Sequence, residues 1–303
     1  MRPVNKLALL AALLVSPASA QSTSPQACAG RLVTHALGQS CVPRKPVRVV
    51  VLDAGPLDTA IALGIRPVGA ASKFPGDETF VDYLGDRTRG IVSVGTITEP
   101  SLERILALRP DLILSSKVRH GTVYAALSRI APTVMSDTVG ATWRENLLLW
   151  GEALGKKADA QRLLNGFRAR ARALGRAVPA NTTVSVVRFL PGQTRIMHRA
   201  SFIGTILDEA GLARPGPQRV NDFAAIVGPE AIPQMDAQAL FYTTWGPAEA
   251  TTLTTFTGSP LWARLGAVRA GRAYPVSDDH WMTGTGILAA GRVLDDLERV
   301  LVK

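Results

Sequence analysis

Two series of short β-rich runs and helical segments, divided by a single long amphipathic stretch, limit what this chain can fold into more than any other feature. The first series begins near Pro46. Val47 to Leu52 is an apolar run of strand length, Leu57 to Leu63 reads as a helix stopped by Gly64 and Pro67, and Pro67 to Ala71 is strand-like again. Pro100 and Ser101 open a helix carrying Leu102, Ile105 and Leu106. Asp111 to Ser115 then reads as a strand, Val123 to Ile130 as a helix and Thr133 to Met135 as a strand. This βαβα order implies a parallel sheet covered by helices. From Lys156 to Ala177, Ala160, Leu163, Leu164, Phe167, Ala171 and Leu174 recur at helical spacing, with Arg162, Arg168, Arg170 and Arg172 elsewhere around the axis. A second series follows: paired strands Thr183 to Leu190 and Gln193 to His198, a helix Ile203 to Ala210, a strand Ala239 to Thr244, a short helix Ser259 to Leu265, a strand Arg272 to Val276 and a last helix striped by Ile287, Ala290, Leu294, Leu297 and Leu301. The expected fold is α/β, with two Rossmann-like lobes, residues 21–155 and 178–303, joined by one long helix, residues 156–177.

Residues 1–20 stand apart. Arg2 and Lys6 precede the apolar run Leu7 to Val15, and Ala18-Ser19-Ala20 follows, the pattern of a cleaved secretory signal peptide. That run is too short to span a bilayer as a helix. Without Arg2 and Lys6 the 34 Lys and Arg become 32 against 24 Asp and Glu, a net charge of +8. Such a field attracts anions. Export, and the absence of Lys/Arg clusters interleaved with aromatics, argue against nucleic acid and for a small anionic ligand. In an oxidising compartment the two cysteines, Cys28 and Cys41, read as a disulfide stapling a hairpin that turns near Gly38. A lipid anchor on Cys28 is the alternative, and Ser24-Pro25-Gln26-Ala27 is a poor signal for one.

Recognisable catalytic templates are absent: no G-x-S-x-G elbow, no H-E-x-x-H and no P-loop occurs. The four histidines (35, 120, 198 and 280) are dispersed without a metal-ligand partner at helical spacing, so neither a cofactor nor a metal held by the protein is expected. Gly284-Thr285-Gly286-Ile287-Leu288-Ala289 matches G-x-G-x-x-A, but no strand follows that helix, and close packing is the better account. The basic residues carry more. Lys117 and Arg119 follow the Asp111 strand, at the sheet edge where open α/β folds bind ligands. Arg188 interrupts the apolar run Val186 to Leu190, and Arg195 follows on the next strand. A charge in such a strand is paired, exposed at an edge, or aimed into a cleft. The planar guanidinium donates several fixed hydrogen bonds and keeps its charge, which suits an oxygen-rich anion. Tyr242 and Trp245 after one strand, and Trp281 after another, are candidates for a cleft wall, although single aromatics are more often packing residues.

At this point the segments resemble a known family. Arg48 to Asp53 (RVVVLD), Ala62 to Gly69 (ALGIRPVG), Pro100 to Leu114 (PSLERILALRPDLIL), Lys117 to His120 (KVRH) and Ile130 to Val134 (IAPTV) occur in the first half. Ser201 to Gly204 (SFIG), Pro260 to Trp262 (PLW), Ala267-Val268 before Gly271-Arg272, and Leu294 to Leu297 (LDDL) occur in the second. In this order they are similar to the iron-siderophore branch of the class III periplasmic binding proteins, which includes ferrichrome, ferric-citrate and cobalamin binders. The resemblance implies two rigid lobes, no enzymatic activity and capture of a ferric siderophore of hydroxamate or citrate-like type, with the iron held by the siderophore. It also implies delivery to an ABC transporter permease in the inner membrane, from the periplasm and as a monomer. Arg119, Arg188 and Arg195 match ligand-contacting positions, Trp281 a cleft aromatic, and Glu103 (in SLERI) and Glu230 (in GPEAI) the acids that dock the permease. On composition alone both glutamates are helix-start acids favoured by the dipole. A haem or cobalamin binder of the same fold, a secreted α/β enzyme acting on an anionic substrate, and an interaction domain without a small ligand are the alternatives.

Overall fold

The computed structural model describes residues 28–73 and 79–302. The expected leader lies outside them. An N-terminal hairpin, β1 (Arg31–His35) and β2 (Gly38–Val42), comes first; Gly38 turns it with a φ of 126°, and a Cys28–Cys41 disulfide ties it.

The first sheet is built only from parallel strands, which need helical crossovers and bury both faces. Its strands are β3 (Val49–Val51), β4 (Gly69–Ser72), β5 (Val92–Thr96), β6 (Leu112–Ser116) and β7 (Thr133–Ser136), ordered β5-β4-β3-β6-β7. Every residue of β3, β4, β6 and β7 is buried, so an unbroken apolar run rather than an alternating one marks these strands. The chain winds outward from β3 to one side and resumes at β6 on the other. The gap at the C-terminal ends of β3 and β6 is therefore the switch point where open α/β sheets accept ligands.

The second sheet is mixed. β8 (Val184–Leu190), β9 (Gln193–Met197), β10 (Ala224–Val227), β11 (Ala239–Thr244) and β12 (Ala273–Pro275) lie in the order β10-β9-β8-β11-β12. β8, β11 and β12 are parallel; β9 and β10 are added antiparallel on the other side of β8. The sequence does not announce β5 or β10. Gly95 and a register shift against β4 break the first, and the second is a short, half-covered edge strand.

Between the sheets runs the helix Lys157–Ala177, 21 residues and about 32 Å long. Ala160, Leu164, Phe167, Ala171 and Leu174 form its buried stripe, within a core that draws residues from both lobes. The last helix, Ile287–Leu301, packs back across the boundary onto the linking helix and onto Ala54–Ala62 of the first lobe. Arg170 fastens two of these helices through Asp295 at 2.6 Å and Glu298 at 2.9 Å.

The linking helix therefore owes its stability to one stripe. Leu164→Ala is expected to cost ~2–5 kcal/mol in urea unfolding, whereas Arg162→Ala on the exposed side should change stability by no more than ~0.5 kcal/mol.

Candidate ligand cleft

The strand ends of both sheets face each other across a cavity of about 450 Å³. From the first lobe it is lined by Asp53, Lys73, Ile97, Thr98 and Arg119; from the second by Arg188, Arg195, Phe223, Trp245 and Thr283, among others.

Asp53 directly follows β3 and its neighbour Leu52, and its carboxylate accepts the Ala54 N–H at the start of the helix Ala54–Ala62. The other carboxylate oxygen, Oδ2, lies 2.8 Å from Arg119 Nε. Arg119 sits in a four-residue helix, Lys117–His120, that begins where β6 ends. His120 fixes this helix. Its Nε2 donates to the Ile97 carbonyl at 2.9 Å, which leaves Nδ1 to accept from the Ser115 hydroxyl at 2.6 Å. Burial lowers the His120 pKa, so the ring is neutral. A second cation, Lys73, follows β4 and reaches across the lobe boundary to Asp279, 2.7 Å away.

In the second lobe, strand register puts Thr243 of β11, Arg188 of β8, Arg195 of β9 and Ile226 of β10 in one row across the sheet. Residues paired in this way project on the same face. Arg188 grips Asp278 in a two-pronged bond, Nε to Oδ1 at 2.7 Å and Nη2 to Oδ2 at 2.6 Å. Thr243 and Thr283 donate to the same carboxylate at 2.9 and 3.0 Å. The indole of Trp245 lies 5.9 Å from the Arg188 guanidinium carbon and is 40% exposed.

Arg195 differs from its neighbours. Its Nε donates to the Gln193 side chain at 2.6 Å, and its guanidinium lies 5.8 Å from the exposed ring of Phe223. Among the described residues no carboxylate lies within ion-pair distance of it. Burial first, then the charge of Arg188, pulls its pKa below the ordinary value.

Three residues expected in the cleft lie elsewhere. Lys117 points outward to Asp137, 3.1 Å away on the surface. Tyr242 has the opposite strand parity to Thr243, and packs beside Phe189 and Trp262 in a second apolar cluster of the lobe. Trp281 is fully buried, stacked on Phe241 at 4.8 Å with its N–H on Asp296; the same turn presents Met282 and Thr283 to the cleft instead. Arg119, Arg188, Arg195 and Trp245 are brought together. Glu103 and Glu230 are exposed, in the first turns of Leu102–Ala107 and Pro229–Met235. Sequence reasoning missed the acids Asp53, Asp278 and Asp279, as well as Lys73 and Phe223. Asp53, closing a fully apolar run, was the one with a visible signal.

A larger concavity of about 710 Å³ runs along the linking helix. Its Arg162, Arg170 and Arg292 already pair with Asp159, Asp295 and Glu298. Among the described residues no group of three or more His, Cys, Asp or Glu could hold a metal ion. The cleft thus presents guanidinium N–H groups and aromatic faces between two lobes, an arrangement able to hold anionic oxygens.

The chain belongs to the periplasmic binding protein family, whose model matches residues 49–279. It has the class III fold. It is 40% identical over 287 residues to a probable siderophore-binding lipoprotein, YfiY, of Bacillus subtilis, across 90% of this chain and 88% of that one. It is 32% identical to the achromobactin-binding periplasmic protein of Dickeya dadantii, across 84% of this chain and 86% of that one. The crystal structure of Staphylococcus aureus SirA complexed with staphyloferrin B is similar with a TM-score of 0.79 and 31% identity, covering 89% of this chain and 98% of that one.

Removing one member of the buried Arg188–Asp278 pair strands the other's charge. Asp278→Asn is expected to lower unfolding stability by ~3–5 kcal/mol. The double variant Arg188→Met, Asp278→Asn should recover part of that loss in the same denaturation assay.

Proposed function

We propose that this protein captures a ferric siderophore bearing carboxylate or hydroxamate oxygens in the interlobe cleft and delivers it to an ABC importer. Arg195 carries the reading. Arg119, Arg188 and Lys73 are each matched by an aspartate behind them, so Arg195 is left as a fixed, partly desolvated cation facing a cavity that opens between the lobes. A ligand oxyanion supplies the missing charge, and the paired guanidiniums still have N–H groups to offer it. Phe223 and Trp245 give the chelate flat walls. A ferric siderophore brings its oxygens already gathered around the metal, so it asks nothing of protein ligands. The names of the similar proteins, which include siderophore, achromobactin and ferric dicitrate binders, point the same way.

Capture precedes delivery. Glu103 on one lobe and Glu230 on the other are the acids we assign to contact with the permease, and both stand free on the surface. Residues 1–20 provide the export signal, and the Cys28–Cys41 bond suits the oxidising compartment beyond the inner membrane. No helix among the described residues is long and apolar enough to cross a membrane.

Titration of intrinsic tryptophan fluorescence with a panel of ferric siderophores tests the reading. A carboxylate or hydroxamate chelate should bind saturably, and Arg195→Ala should weaken it by ~1.5–3 kcal/mol, the range for a charge-assisted hydrogen bond. Lys117→Ala should leave the affinity unchanged. An Arg195→Ala protein that binds as tightly as the parent removes this residue from the site, and no binding across the panel overturns the assignment.

A further inference from the structure

Asp58 is wholly buried in the first lobe, in the helix Ala54–Ala62, yet its hydrogen bonds run to the other end of the chain. Its Oδ1 accepts the N–H of Leu288 and its Oδ2 the N–H of Ala289, both at 2.9 Å. These are amides of the first turn of Ile287–Leu301, which ordinarily need a capping side chain. The residue in the cap position, Gly286, has none, and a Cβ there would overlap the Asp58 carboxyl. A Cβ on Gly284 would likewise overlap the Tyr83 ring, whose hydroxyl donates to Asp58 Oδ2 at 2.9 Å. The Gly-Thr-Gly pattern that imitates a dinucleotide motif is therefore a socket for two first-lobe side chains. Residues just before and within the socket, Met282, Thr283 and Thr285, line the cleft, and Thr283 also holds Asp278.

We propose that Asp58 is a positioning residue for ligand binding: by capping a helix that continues from the opposite lobe, it fixes the cleft wall formed by Met282, Thr283 and Thr285, and with it the aperture between the lobes. The part that concerns ligand rests on the cleft being the binding site; the clasp itself does not.

The clasp is sensitive to protons. Burial raises the Asp58 pKa from 3.8 to about 6, against the opposing pull of the Leu288, Ala289 and Tyr83 hydrogen bonds. Tyr83 is the titratable group in direct contact. His280 stands 6.3 Å from its ring, and Asp279, Asp82 and Lys73 form the neighbouring cluster, with Asp296 held on His280. When Asp58 takes up a proton, Oδ2–H donates to the Tyr83 oxygen, and the Tyr83 hydroxyl turns to the Gly284 carbonyl, 3.4 Å away. Oδ1, then the carbonyl oxygen, still accepts from Leu288, while the bond from Ala289 to Oδ2 weakens. The sign follows from linkage. The engaged clasp holds a proton more firmly than a disengaged, hydrated Asp58, so acidification through pH 6 favours the engaged state and rising pH disfavours it.

Nitroxide labels on Ser128→Cys in the first lobe and Ala263→Cys in the second, both exposed, report the interlobe distance by electron–electron double resonance. The distribution should narrow as pH falls from 7.5 to 4, with the change spread between about 6 and the 3.8 of a free carboxyl. Asp58→Asn, checked for folding by circular dichroism, should lose that pH response. Tyr83→Phe, which removes a donor to the carboxylate, should move the midpoint upward. Asp58→Asn should also weaken ferric-citrate binding about fivefold or more, the low end of coupling between distant sites. An unaltered pH response in Asp58→Asn, or none in the parent, overturns the clasp. An intact distance response with parental ferric-citrate affinity in Asp58→Asn overturns the positioning role. Loss of all chelate binding in the parent, with the distance response intact, would instead count against the cleft's function.

Discussion

Charge balance in a half-buried cleft is the constraint on which the rest of this structure depends. Desolvated cations packed side by side repel one another and lose their hydration, so most must carry a counter-ion with them. Asp53 does this for Arg119, Asp278 for Arg188 and Asp279 for Lys73, each carboxylate sitting behind its partner and further from solvent. Among the described residues Arg195 has no such partner, and it lines the cleft. In the proposed function the paired cations supply shape and donors, and the unpaired one net attraction. The same aspartates also do structural work, Asp53 by capping a helix and Asp279 by bridging the lobes.

The fold makes this placement possible. Two open sheets set their C-terminal strand edges face to face, and in each the cleft lining includes the point where the strand order reverses. Facing edges would be useless if the lobes moved freely. The linking helix and the returning C-terminal helix share one apolar core across the boundary, and Asp58 caps the second of them from the first lobe. A preformed site spends less of its binding energy on ordering itself.

Much of the architecture was legible in the chain. The buried parallel strands stand out as apolar runs, and the long helix as a stripe of five core residues. What escaped was local. β10 is a four-residue edge whose alternation is hidden by Ala224 and Ala225, and β5 is interrupted by Gly95. The site was half readable, and the reason is parity. An arginine inside an apolar strand is conspicuous, so Arg188 and Arg195 could be picked out. Whether Tyr242 or Thr243 faces the cleft depends on a pleat that cannot be phased without the neighbouring strand. Likewise the turn Asp279–Thr283 turns Trp281 inward and its neighbours outward. The acids were invisible for another reason: Asp278 and Arg188 are 90 residues apart, and only the fold joins them.

The structure of the complex with a ferric carboxylate chelate would test the central claim most directly. The account predicts chelate oxygens within hydrogen-bond reach of the Arg195 guanidinium, in the gap between Trp245 and Phe223, with the Arg119–Asp53 and Arg188–Asp278 pairs intact. A chelate seated outside the interlobe gap, or one whose oxygens leave Arg195 without a partner, would contradict it.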